Sequence, residues 1–134
     1  MTVDELVRRF SIFDEWEERY AYLIDLGRKL PLLADEHHIK ENLVEGCLSQ
    51  VWLVCALNDD NIVSLQADSD SAIVKGLIGL VLMIYEAQTP TEILTTDLSN
   101  LFGELKLDSH LSANRRNGFM SMIGTIQSFA HSHQ

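Results

Sequence analysis

The sequence predicts an α+β fold, a small antiparallel sheet packed with helices. Apolar residues recur at helical spacing over roughly the first thirty positions. Near residue 50 that pattern gives way to a short apolar run and an alternating run joined by turn residues. From residue 70 helical spacing returns, so helices flank one small sheet. With 134 residues, the chain is read as one domain over residues 1–134.

A short helix is predicted from Val3 to Phe10. In the next, Phe13, Trp16, Tyr20, Leu23, Ile24 and Leu30 share one face, with Asp14, Glu15, Glu17, Glu18 and Arg19 mostly opposite. Ser11 with Asp14 reads as its capping pair and Pro31 as its stop. Gln50–Leu57 and Ile62–Ala67 read as the two strands of a hairpin. Between them Asn58-Asp59-Asp60-Asn61 is turn chemistry, because these side chains tolerate left-handed backbone and bond locally. Asn42–Val44 is read as a third, short strand.

Asp68-Ser69-Asp70-Ser71 suits the positive end of a following helix, Ser71–Ala87. Gly76–Tyr85 is uncharged but only ten residues long, between Lys75 and Glu86. A spanning helix needs about 20 apolar residues, so this one is buried by protein. Thr89-Pro90-Thr91-Glu92 is a strong helix start, and Ile93, Leu94, Leu98, Leu101 and Phe102 are assigned to that helix. A last helix begins after Ser112 and carries Phe119, Met122, Ile123, Ile126 and Phe129 on one stripe.

Composition excludes several classes. Hydrophobic residues make up 46% of the chain and charged ones 22%, too apolar for a disordered segment. Twenty acidic against ten basic side chains, a net charge of −10, argue against nucleic acid and against anionic membrane surfaces. Two cysteines make no disulfide framework, and no charged-then-apolar leader precedes Asp4 and Glu5, so a cytoplasmic location is expected.

Cys47 is the leading candidate for chemistry. It follows Gly46, which leaves room for close approach, and precedes an apolar strand. Two readings stand side by side: a reactive thiol, or a small buried hydrophobe. Nearby Glu45 would raise its pKa. Cys55, inside the apolar strand, reads as a core thiol, too far along the chain for a CxxC motif. His37-His38, His110, His131 and His133 lack the paired spacing of a structural zinc site, so no metal is expected. A Cys47–His110 hydrolase lacks an oxyanion-hole signature and is the weaker alternative. Arg115 falls on the apolar stripe in the first turn of its helix, where a cation opposes the dipole. It either meets an anionic partner or snorkels to water. Arg116 reads as a solvated edge residue.

Several blocks now stand in order: Asp14-Glu15-Trp16-Glu17-Glu18-Arg19-Tyr20, Leu26-Gly27-Arg28-Lys29-Leu30-Pro31, Val44-Glu45-Gly46-Cys47-Leu48-Ser49-Gln50-Val51-Trp52, Ala67 through Leu77, and His110-Leu111-Ser112 with Arg115, Asn117-Gly118 and Met122. In these blocks the chain resembles the SufE family, the sulfur acceptors that assist cysteine desulfurases in iron–sulfur cluster assembly. The resemblance implies an α+β sandwich like that of IscU-type scaffolds, whose own three-cysteine cluster site is absent here. It implies that Cys47 accepts sulfur as a persulfide, with Gly46, Asp70 and Arg115 in support. It also implies a cysteine desulfurase partner of the SufS or CsdA type, which carries the pyridoxal phosphate, so that this chain needs no cofactor of its own. A downstream iron–sulfur scaffold or other acceptor would take the sulfur. Cys55 is a second thiol that the family pattern does not require.

Persulfide transfer is a thiol–disulfide type exchange and asks of the acceptor little beyond a shielded, mobile thiol. Leu48, Val51 and Trp52 are the apolar neighbours expected to shield it. A module that stimulates a desulfurase without using Cys47 is the competing reading. A homodimer is compatible with either.

Overall fold

A computed structural model describes residues 2–45, 49–107 and 111–134. Its elements run α1 (Val3–Phe10), α2 (Trp16–Arg28), β1 (Val51–Leu57), β2 (Val63–Ser69), α3 (Ala72–Tyr85), α4 (Pro90–Thr95), α5 (Leu101–Glu104) and α6 (Ala113–Ser132). The α+β class is the one the sequence predicts.

Helix α1 is capped by Thr2, whose hydroxyl accepts the Glu5 N–H at 3.1 Å. Asp4 and Glu5 lie in its first turn and Arg8 and Arg9 in its last, complementing the dipole. Ser11 does not open α2 with Asp14, as its position implied. It closes α1 instead, its hydroxyl donating to the Arg8 carbonyl at 2.6 Å. Helix α2 starts from Glu15, whose N–H donates to Glu18 Oε1 at 3.2 Å.

The buried line of α2 is Arg19, Leu23 and Gly27. Arg19, expected on the solvent side, is 7% exposed, and Trp16, expected inside, is 41% exposed. The contact with α3 sets this rotation. A Cβ on Gly76 would lie 2.2 Å from the Leu23 carbonyl oxygen, and one on Gly27 2.8 Å from Lys75 Cβ. The two backbones touch through these glycines, so the line of closest approach passes through Leu23 and Gly27 and takes Arg19 inward with it.

Strands β1 and β2 pair antiparallel from Val51↔Ser69 to Leu57↔Val63. In the turn, Asn58 Oδ1 accepts the Asp60 and Ile62 N–H groups at 3.0 and 2.9 Å, and Asn61 takes a positive φ of 63°. Val63, Ala67 and Ser69 face inward while Ser64 and Gln66 are exposed. The third strand is reduced to one bridge, Leu43↔Trp52. Asn42 Nδ2 donates to the His37 carbonyl at 2.9 Å, and residues Lys40–Asn42 coil into a 3₁₀ turn rather than extending along β1.

Helix α3 is the centre of the core, buried at Ile73, Leu77, Ile78, Leu80, Val81, Ile84 and Tyr85 between α2, the sheet and α6. Among the described residues no helix is long and apolar enough to cross a membrane. Helix α4 starts as the sequence implies, with Thr89 Oγ1 accepting the Glu92 N–H at 3.2 Å and Pro90 in the first turn. It is shorter than expected. The Thr95 and Thr96 hydroxyls both turn back to the Glu92 carbonyl at 2.9 Å, and Asp97 accepts the Ser99 N–H at 2.9 Å. Leu98, Leu101 and Phe102 are buried, but from the following turn and α5. In α6, Phe119, Met122, Ile123 and Ile126 are buried. Phe129 is half-buried, stacked on His133 at a centroid distance of 4.0 Å.

Candidate functional site

Cys47, Gly46, Leu48 and His110 lie outside the described residues. The chain on either side of Cys47 is well defined by hydrogen bonds. On the upstream side the Val44 N–H donates to the Val51 carbonyl at 2.8 Å, beside the Leu43↔Trp52 bridge. On the downstream side Gln50 and Asp70 bond twice: Gln50 N–H to Asp70 Oδ1 at 3.1 Å, and Asp70 N–H to the Gln50 carbonyl at 3.3 Å. Asp70 therefore does more than precede a helix. The cap of α3 is Ser71, whose hydroxyl accepts the Val74 N–H at 3.4 Å, while Asp68 and Ser69 belong to β2.

Ser49, two residues beyond Cys47, lines a cavity of about 350 Å³. Val51, Val74, Leu77, Phe119 and Met122 supply apolar walls, and Ser112, Asn114 and Arg115 the polar part. Arg115 is exposed, its own N–H capped by the Ser112 hydroxyl at 3.2 Å. Among the described residues no carboxylate lies within ion-pair distance of its guanidinium. The first turn of α6 holds no acidic residue, so the cation and the helix N-terminus give this side of the cavity a positive potential. The fold thus brings Arg115 to the same cavity as Ser49, although 66 positions separate them in the sequence (115 less 49). Asp70 reaches the same stretch of chain from the other side, in a groove with Arg28, Leu32 and Lys75. Arg116 is half-buried in a separate cleft with Phe102, Glu104 and Met120, not solvated as expected.

The shielding residues divide. Val51 lines the cavity, but Trp52 follows it in β1 and so points to the opposite face of the sheet. There Trp52 packs edge-on against His38 at 4.8 Å between centroids. Cys55, half-buried on the Val51–Leu53 face, has its thiol pushed up to about 11 by burial. At neutral pH it is a thiol and not a nucleophile.

One cluster was not legible in the sequence. His38 Nε2 lies 2.7 Å from Asp68 Oδ2, and Lys75 Nζ lies 3.5 Å from Asp68 Oδ1. Burial alone would raise the Asp68 carboxyl. The hydrogen bonds from His38 and the Ser69 N–H, with Lys75 nearby, outweigh it and hold the group below its ordinary value. The partners are 30 and 7 positions away along the chain (68 less 38, 75 less 68), with no motif spacing. Only the outward alternation of β2 hinted that Asp68 had a face to serve. His37 turns away towards Glu36, at 3.9 Å. Among the described residues no group of three His, Cys, Asp or Glu side chains could hold a metal ion.

Comparison with known proteins adds two findings. The family model described as "SufE: Fe-S metabolism associated domain" matches residues 4–130. The fold is similar to the solution structure of a hypothetical protein from Thermus thermophilus, with a TM-score of 0.80 at 17% identity, over 99% of this chain and 98% of that one.

Proposed function

Because the chain belongs to the SufE family of domains associated with Fe–S metabolism, we propose that it accepts sulfur from a pyridoxal-phosphate-dependent cysteine desulfurase and relays it for cluster assembly. Cys47 is the acceptor. The observation that carries this reading is the cavity beside Ser49, apolar on its walls and positive where Arg115 and the start of α6 meet it. Such a site suits a species that is both easily reduced and, once ionised, anionic.

In the step itself, the Cys47 thiolate attacks the outer sulfur of a persulfide on the desulfurase. A new S–S bond forms to Cys47, the donor's S–S bond breaks, and the donor cysteine leaves as a thiolate. One thiolate is consumed and one released, so no oxidant is needed. Carbon–sulfur cleavage is the work of the partner's cofactor. Arg115 supplies charge for the bound anion, and Asp70 fixes the chain at Gln50. The raised Cys55 thiol makes Cys55 a poor competitor for the sulfur.

The test is intact mass after incubation with the host's cysteine desulfurase, cysteine and pyridoxal phosphate. A gain of about 32 Da, one sulfur atom, removed by dithiothreitol and absent in Cys47→Ser, is the expected result. Faster desulfurase turnover with no mass gain would favour the non-catalytic binding module.

A further inference from the structure

Leu32 is the most exposed large apolar side chain among the described residues, at 98%. Its place in the chain holds it outward. Helix α2 ends at Arg28, Pro31 fixes the backbone that follows, and Leu33, 7% exposed, ties the next residue into the core. A lone exposed leucine is ordinary on a protein surface. This one has a counterpart. Beside it, between α2, α3 and β2, lies a cleft of about 400 Å³. Leu26, Leu30, Leu65, Leu82 and Met83, all half-buried, are among its walls. Leu30 and Pro31 line this cleft and also the groove that contains Leu32, so knob and cleft lie on either side of the same two residues.

The charge on this face differs from that on the rest of the chain. The two linings hold three basic side chains, Arg28, Lys29 and Lys75, and three acidic ones, Asp68, Asp70 and Glu86. The remainder of the sequence has seven basic residues against seventeen acidic (10 less 3, 20 less 3). A second copy with its own net charge of −10 meets a surplus of like charge over the rest of the chain, but equal numbers of both signs here.

We infer that this face is a self-association surface, on which two copies of the chain pair about a two-fold axis beside Pro31, each setting its Leu32 in the other's cleft. A knob and a hole that adjoin on one face suit an isologous contact, because a single rotation fills both clefts at once. The pairing covers the exposed leucine and the half-buried cleft walls together, and the balanced rim removes the local repulsion that the acidic chain would otherwise bring. The inference is independent of Cys47 and of the sulfur-acceptor reading.

The experiment is sedimentation equilibrium of the full chain at loading concentrations up to about 500 μM, enough to populate even a dimer weaker than micromolar. The native chain should rise with concentration from 15.2 kDa towards twice that mass. Leu32→Gln adds no charge at a side chain that the fold leaves in solvent. It should weaken association at least about a hundredfold, since a two-fold contact loses the knob twice. Ser64→Arg fills the cleft from an exposed position in β2 and makes the chain less acidic, so its equal loss of pairing cannot come from added repulsion. Ile12→Gln is the control. Ile12 is 72% exposed at the other end of α2, about 20 Å along the helix, and its variant should pair like the native chain. Far-UV circular dichroism checks that each variant is folded. A native chain that stays at 15.2 kDa throughout overturns the inference. So does a dimer that survives either Leu32→Gln or Ser64→Arg, an equal loss in Ile12→Gln, or growth beyond two copies.

Discussion

Asp70 and Gln50 hold each other by two hydrogen bonds, side chain to backbone at 3.1 Å and backbone to backbone at 3.3 Å. This pair closes the downstream side of the cysteine-bearing segment and joins it to the start of α3. Asp70→Ala removes the carboxylate acceptor, so the Gln50 amide should exchange with solvent about fivefold faster. Asp70→Asn keeps an acceptor oxygen and should stay near the native rate. Hydrogen exchange read at that amide distinguishes the two.

The contact between α2 and α3 has no room for a methyl group. Gly76→Ala would set its Cβ against the Leu23 carbonyl, and backbone cannot yield as a side-chain tip does. The expected cost is about 1–3 kcal/mol, seen as a Tm lower by several degrees. Gly124→Ala is the matched control. It sits in α6, exposed, with nothing within 4 Å of the new Cβ, and should gain about 1 kcal/mol from helix propensity.

The Asp68 carboxyl titrates below its ordinary value of 3.8 in the folded chain. A depressed folded pKa stabilises the fold above the unfolded value, and that stability is lost as pH falls through the folded one. The stability that Asp68 contributes relative to Asp68→Asn should therefore be fully present just above pH 3.8. It should shrink as pH drops below 3.8 towards the lower folded value. Urea titrations at several pH values give the curve. A difference that instead grew as pH fell below 3.8 would contradict the lowered Asp68 carboxyl.

Cys55 should alkylate slowly at neutral pH. With its thiol near 11, roughly one molecule in ten thousand is thiolate at pH 7. In a Cys47→Ser background, labelling of Cys55 should rise about tenfold per pH unit up to the limit of folding. A plateau near pH 8–9 would show an ordinary thiol, and Cys55 would then compete for sulfur.

Much of this fold was legible because local chemistry decides it. Thr89-Pro90-Thr91-Glu92, Ser112 and the Asn58–Asn61 turn each bond within a few residues, so their signals survive without tertiary context. Where two local signals competed, reading failed. Ser11 could close one helix or open the next, and the side-chain bond to Arg8 settled it. Thr95 and Thr96 carry an apolar pattern onward, yet their hydroxyls bond back and end α4.

Sequence alone determined the class of fold and the order of its helices and hairpin, because these follow from residue type and spacing along the chain. Tertiary structure decided which face of α2 is buried, since that depends on where two glycines in separate helices touch. It also decided that Arg115 lines the cavity beside Ser49, that Trp52 turns away from it, and that His38, Asp68 and Lys75 meet. Those relations depend on how separate elements pack, and only the packing of residues 33–44, the sheet and the helices brings these side chains together.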